Sequence, residues 1–241
     1  IVDTPGHADF GGEVERSLNM VDGAILLVDA SEGPLPQTRF VLKKALARKM
    51  PIILVINKID RGDARIEEVI NEVYDLFIDL DATEKQIEFP ILYTNAKLGV
   101  AHRTLGDDST DLRPLFDTIL TEIPGAEGAD DALPQFLVTN LDYDSYVGQL
   151  AIGRLMNGVL EMNKPYSLCG EKAVTTGVRF SALYTFVGLK KVAVDKVEAG
   201  DIVAFAGLSN LNIGDTVSDL LDPQPLPRIK VDAPTVSMVF Y

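Results

Sequence analysis

The apolar run Pro51-Ile52-Ile53-Leu54-Val55-Ile56 passes directly into Asn57-Lys58-Ile59-Asp60, and that junction constrains the fold more than any other stretch. An unbroken apolar run has no face to give to water, so its strand must be covered on both sides, as in the parallel sheet of an α/β domain. Polar groups just past such a strand lie at the carboxyl edge of the sheet, where open α/β sheets bind ligands. Asp60 there suits one base. An ionised Asp accepts through two oxygens and can take two parallel bonds from a planar donor pair such as the N1–H and 2-amino group of guanine, which adenine lacks. A desolvated carboxylate left unpaired against adenine would cost about 3 kcal/mol, a discrimination of ~100-fold. Asn57 suits a bridge between base and backbone, and the Lys58 stem suits the ring face with its ammonium in solvent. Asn, Lys and Asp are also ordinary turn residues after any strand, so the tetrapeptide needs support from the rest of the chain.

The chain in order supplies a repeating pattern. Ile1-Val2 reads as the end of a strand that runs into Asp3, and Thr4-Pro5-Gly6 must turn sharply after it. Val14, Leu18 and Val21 recur at helical spacing, and Ala24 to Val28 is a second buried strand. A helix is expected from Gln37 to Arg48. After Asp60, the positions Ile66, Val69, Ile70, Val73, Tyr74, Phe77 and Leu80 share one helical side, with Glu67, Glu68, Glu72, Asp75 and Asp79 forming a solvated face. Phe89 to Tyr93 reads as a further strand leading into Thr94-Asn95-Ala96-Lys97, and Leu112 to Ile123 as a last helix. Strands alternating with helices imply a mostly parallel sheet with right-handed crossovers.

Pro124 to Asp131 breaks this pattern as an acidic linker. Beyond it come short β-branched or alternating runs: Phe136 to Thr139, Tyr146 to Met156, Tyr166 to Leu168, Val174 to Phe180, Lys191 to Val194 and Ile202 to Phe205. Turn residues separate them, which predicts a small antiparallel β-barrel. Pro223, Pro225 and Pro227 mark another linker. The expected division is therefore residues 1–126 as the α/β domain, 134–222 as the barrel, and 229–241 as the first strand of a third domain that lies beyond this piece of chain.

Composition narrows the function classes. With 46% hydrophobic residues in 241, the chain can bury real cores, and no apolar run approaches the ~18 residues of a membrane span. The net charge of −14 argues against a broad basic face for nucleic acid. A single cysteine, Cys169, excludes an internal disulfide and a multi-cysteine zinc site, consistent with a cytoplasmic setting. Of the two histidines, His7 and His102, the second sits in a polar stretch and reads as a surface residue.

Three motifs agree in order and separation with one family. Asp3-Thr4-Pro5-Gly6-His7 running on to Arg16, then Asp29-Ala30-Ser31-Glu32-Gly33, then Asn57-Lys58-Ile59-Asp60, resemble the translational GTPases. Asp79-Leu80-Asp81-Ala82-Thr83, Leu141 to Gly148 and Leu211 to Val217 resemble the TypA/BipA subfamily of ribosome-associated GTPases. The resemblance spans essentially the whole chain. It implies a P-loop-type GTPase domain that binds GTP or GDP with Mg²⁺ and works with the ribosome. Within it Asp3 would hold Mg²⁺ through a bridging water, the Gly6 N–H would meet the γ-phosphate, and His7 would orient the attacking water. Asn57, Lys58, Ile59 and Asp60 would read guanine together with Asn95, Ala96 and Lys97, the Ala96 backbone meeting the base oxygen.

Two departures qualify this. Asn95 stands where the family usually carries a small hydroxyl residue, and Gly-x-x-x-x-Gly-Lys-Ser/Thr is absent from the 241 residues. Without that phosphate loop these residues alone are expected to leave GTP unhydrolysed. An elongation factor G or LepA relative, and a non-catalytic module that responds to guanine nucleotides, remain open alternatives.

Overall fold

A computed structural model describes residues 1–4, 11–126 and 128–229. The chain divides into two compact units, one of Asp3–Gly125 and one of Ala126–Tyr241 together with Ile1–Val2. The first unit runs α1 (Gly11–Leu18), β1 (Ala24–Asp29), α2 (Pro36–Ala47), β2 (Ile52–Asn57), α3 (Ile66–Asp79), α4 (Glu84–Ile87), β3 (Ile91–Asn95), β4 (Val100–His102) and α5 (Arg113–Glu122). Its sheet has the order β1-β2-β3-β4, parallel from β1 to β3 and antiparallel at β4.

The period of two along each strand explains why β2 is apolar throughout. Ile52, Leu54 and Ile56 turn to one face, where they share a core with Leu26 and Val28 of β1, Leu42 and Leu46 of α2, and Val69, Val73 and Phe77 of α3. Ile53 and Val55 turn to the other and pack with Leu92 beneath Leu115, Ile119 and Ile123. Both faces being covered, neither set of alternate residues can be polar. The α5 face is covered less completely over β1, where Ile25 and Leu27 are exposed.

The predicted helices and the strands from Ala24 onward keep their order, with shifted edges, and α4 and β4 are additional to them. The third strand begins at Ile91 because Phe89 is drawn into an aromatic group with Phe77, at 4.6 Å between ring centres, and Tyr74, at 5.2 Å. The strand expected at Ile1-Val2 does not form: residues 1–4 lie outside any strand and Ile1 is fully exposed. A strand needs a neighbour for its N–H and C=O groups, and β1, an edge in the described sheet, pairs with β2 alone. His102 also differs from expectation. It is half-buried on β4 with Nδ1 2.6 Å from Asp107 Oδ1, because Asp107 turns back to accept the N–H groups of Arg103 and Ser109 as well.

The second unit is all β. Its strands are β5 (Gln135–Asp144), β6 (Gly148–Asn157), β7 (Val159–Glu161), β8 (Tyr166–Cys169), β9 (Val174–Val178), β10 (Ala182–Val187), β11 (Lys190–Ala193), β12 (Lys196–Glu198), β13 (Ile202–Ala206) and β14 (Thr216–Ser218). Eight form one antiparallel sheet in the order β11-β10-β13-β6-β5-β14-β8-β9, and β12 pairs with β7 in a separate ribbon. Strands from both sheets contribute to a single core around Phe136, Phe180, Phe205, Leu155 and Val197, so the layer curls in the manner of a barrel. The curl depends on Gly153, since a Cβ there would stand 1.9 Å from the Leu137 carbonyl oxygen, beside the irregularity between Val138 and Asn140. The strand expected over 229–241 lies outside the described residues from 230 onward.

Candidate nucleotide-binding site

The polar groups of interest gather at the carboxyl edge of the parallel sheet. Parallel pairing sets Asp29 beside Asn57 and Asn57 beside Thr94, so three loops leave the sheet at one level. The Asn57 amide is fixed between two of them. Its Oδ1 accepts the Thr94 hydroxyl at 3.0 Å and the Ala96 N–H at 3.0 Å. Both bonds fall on oxygen, which orients the amide and leaves its NH₂ group as a donor. The Ile59 N–H donates to the Thr94 carbonyl at 3.3 Å, a further tie between the two loops.

Beyond Asn57 the chain turns through Lys58, whose φ of 62° is left-handed, and reaches Asp60 on an exposed turn. Asp60 therefore offers its carboxylate outward from the loop that carries the oriented amide. In the neighbouring loop Asn95 is buried, and its Oδ1 accepts the Leu98 N–H at 3.2 Å, closing the turn that presents Ala96 and Lys97. The residue standing in place of a small hydroxyl thus builds the turn. An Asn side chain reaching an N–H three residues on stabilises the loop locally.

Two expected contacts take another form. The Ala96 N–H, assigned to a base oxygen by resemblance, is donated to Asn57, because the short exit from β3 carries this amide across the end of β2. The Lys58 ammonium was expected in solvent and instead lies 2.6 Å from Asp29 Oδ2, at the end of the adjacent strand. Desolvation alone would raise the Asp29 pKa, but Lys58 and the N–H and hydroxyl of Ser31 outweigh it and hold the carboxyl well below the usual carboxylate range. The Lys58 pKa is correspondingly raised by its contact with Asp29.

Asp3 is exposed outside any strand, while Gly6 and His7 lie outside the described residues. Among the described residues there is no group of three His, Cys, Asp or Glu side chains suited to a metal ion. The structure therefore joins Asn57, Ile59, Asn95 and Ala96 into one corner, with Lys58, Asp60 and Lys97 beside them in sequence. Sequence reasoning passed over Thr94 as a partner of Asn57, and over Arg65. The Arg65 guanidinium donates to the carbonyls of Ser31 at 2.8 Å and Glu32 at 3.2 Å and pairs with Glu72, which ties the 29–33 loop to α3. The available signal was position, since Asp29 ends a buried strand as Asn57 does.

An oriented amide and an outward carboxylate at the edge of a parallel sheet define a nucleotide-binding α/β protein with the fold of the translational GTPases. Translation elongation factor SelB of Methanococcus maripaludis, solved in complex with the GTP analogue GppNHp, shares this fold with a TM-score of 0.69 at 23% identity, over 90% of this chain and 45% of that one. The sequence matches the family described as elongation factor Tu GTP binding domain over residues 1–221, and the chain belongs to that family. It is 48% identical over its full length to a putative elongation factor TypA-like protein, SVR3, of Arabidopsis thaliana chloroplasts, and 46% identical to the large ribosomal subunit assembly factor BipA of Bacillus subtilis. It spans 36% and 39% of the lengths of those two relatives.

Proposed function

We propose that this chain carries the guanine-reading part of a GTPase, and that the full-length protein hydrolyses GTP while acting on ribosomes or their assembly. The observation that carries this reading is the Asn57 amide, held by Thr94 and Ala96 with its NH₂ left to donate, and followed three residues later by the exposed Asp60 carboxylate. A donor of that kind matches N7 of a purine, and an acceptor pair matches the N1–H and 2-amino group of guanine alone. Similarity to proteins named as ribosomal-subunit assembly factors supports the ribosomal setting. That setting also implies a cytoplasmic protein. The overall charge of −14 favours local contacts with a ribosomal partner over a broad basic face.

In the same reading, residues 1–126 form the GTP-binding domain and 134–222 the barrel. Mg²⁺, which keeps several waters and needs few protein carboxylates, would be met by Asp3 through one of them and would neutralise charge on the phosphates. His7 would orient the water that attacks the γ-phosphate, and the Gly6 N–H would hold that phosphate. Described residues fit the guanine end of the ligand. Calorimetric titration of the full-length protein with GDP and ADP tests the reading. We expect GDP to bind at least about 100-fold more tightly, and Asn57→Ala to remove most of that affinity. Equal affinity for the two nucleotides would refute it.

A further inference from the structure

The 29–33 loop makes no contact with a base in the reading above, yet it is built with more care than a connection requires. Asp29 Oδ1 accepts the Ser31 N–H at 2.8 Å, the Ser31 hydroxyl at 2.9 Å and the Glu32 N–H at 3.3 Å. The carboxylate is thereby tied to its own turn and is only 12% exposed. Gly33 closes the turn with φ +78°, where a Cβ would stand 2.2 Å from Glu72 Oε2. Arg65, through its bonds to Ser31, Glu32 and Glu72, holds the same turn from the other side.

All of this leaves Oδ2 facing the 57–61 loop, 2.6 Å from Lys58 Nζ and 3.8 Å from Arg61 Nη1. Lys58 and this oxygen form a close ion pair between the ends of the two strands. A carboxylate pinned by three donors cannot follow a moving ammonium; the ammonium comes to it. A free lysine side chain has many rotamers, and ordering it opposes binding. Anchored at its head, the Lys58 stem is directed across the ends of β1 and β2 before any base arrives.

We infer that Asp29 is a positioning residue for guanine-nucleotide binding: it fixes the Lys58 ammonium and so lays the lysine stem where it can floor the base. This rests on the guanine reading of the 57–60 loop. It adds a residue outside that loop, acting through Lys58.

The test is the release of a fluorescent GDP derivative from the full-length protein, measured by stopped flow for Asp29→Asn, Lys58→Met and the double variant. Asp29→Asn keeps an oxygen for the Ser31 and Glu32 donors, removes the charge and puts an NH₂ donor in place of the oxygen that meets Lys58; Asp29→Ser, which also lacks the charge, serves if it does not fold. We expect Asp29→Asn to speed release about tenfold in the natural background, and to change it by less than about twofold once Lys58 is Met. Release unchanged by Asp29→Asn would overturn the inference. So would an equal acceleration in both backgrounds, since the carboxylate would then act through the fold of its turn. Failure of the unsubstituted protein to bind GDP would instead overturn the guanine reading itself, and this inference with it.

Discussion

The two units treat their polar side chains in opposite ways. In the parallel sheet, polar groups collect where strands end: Asp29, Asn57 and Thr94 sit at one level, and each reaches across to a neighbouring loop or leaves a group facing outward. In the antiparallel unit they are consumed internally. Asp215, 1% exposed, accepts the Asn212 N–H at 2.9 Å and pairs with Arg228 at 2.8 Å, while Thr216 and Ser218 accept the backbone N–H groups of Leu226 and Gln224. Connectivity accounts for the difference. Parallel strands all finish on the same edge, so their last residues converge on one place. Antiparallel strands finish alternately at both ends, so their terminal polar residues scatter and serve the nearest turn.

If the site belongs to the parallel unit, the two cores should differ in their importance for nucleotide binding. Phe77 and Phe205 are both fully buried, and replacing either by Ala should destabilise its own unit by about 3–5 kcal/mol in denaturant melts. Phe77→Ala should also weaken GDP binding, because Phe77 shares a core with Leu54 and Ile56, the residues that lead to Asn57. Phe205→Ala should leave the affinity of the folded protein unchanged. A similar loss of GDP affinity in both variants would contradict the assignment of the site to the parallel unit.

A sharper probe lies at the strand edge. Asp60→Asn replaces one acceptor oxygen with a donor, so it should cost about 3 kcal/mol in GDP affinity and favour xanthine nucleotides, whose 2-oxo group accepts where guanine donates. Competitive titration with GDP and XDP would measure the exchange. The fold should be unaffected, since Asp60 is exposed.

The corresponding substitution in the antiparallel unit should act on stability alone. Asp215→Asn leaves Arg228 without its charge partner, but Arg228 is 35% exposed and can turn to water, so about 1–2 kcal/mol is expected, with GDP affinity unchanged.

The smallest effect concerns Asp107. The His102 ring is the main cause holding its carboxyl down at about 2, helped by the N–H groups of Ser109, Arg103 and Thr104, against burial, which raises it. A carboxyl depressed on folding contributes stability that is fully present above its ordinary value of 3.8 and is lost as pH falls through about 2. Asp107→Asn should remove that part of the acid dependence, seen as a flatter stability curve between those limits.

Much of the parallel unit was legible in the sequence because burial on both faces leaves a strong record. β1, β2, α2, α3 and α5 lie within a few residues of their expected positions. The antiparallel unit was less legible. β10, half-buried at most positions, and the three-residue strands β7, β12 and β14 carry too little pattern to stand out, and they exist because neighbours accept their backbone bonds. In the site, Asn57 and Asp60 were visible from their place after a buried strand. Thr94 as the partner of Asn57 was not, since 37 residues separate them.

The sequence by itself determined the alternation of buried strand and helix, the polar tetrapeptide at the end of one strand, and the base that an exposed Asp at that place would suit. These follow from local rules of periodicity and donor–acceptor chemistry. Only the tertiary structure decided which way the Asn57 amide points, that the Ala96 N–H is spent on it, and that Lys58 turns to Asp29. Each of those depends on the register of parallel strands, which brings together residues 28 to 39 positions apart and has no signature in any one stretch of sequence.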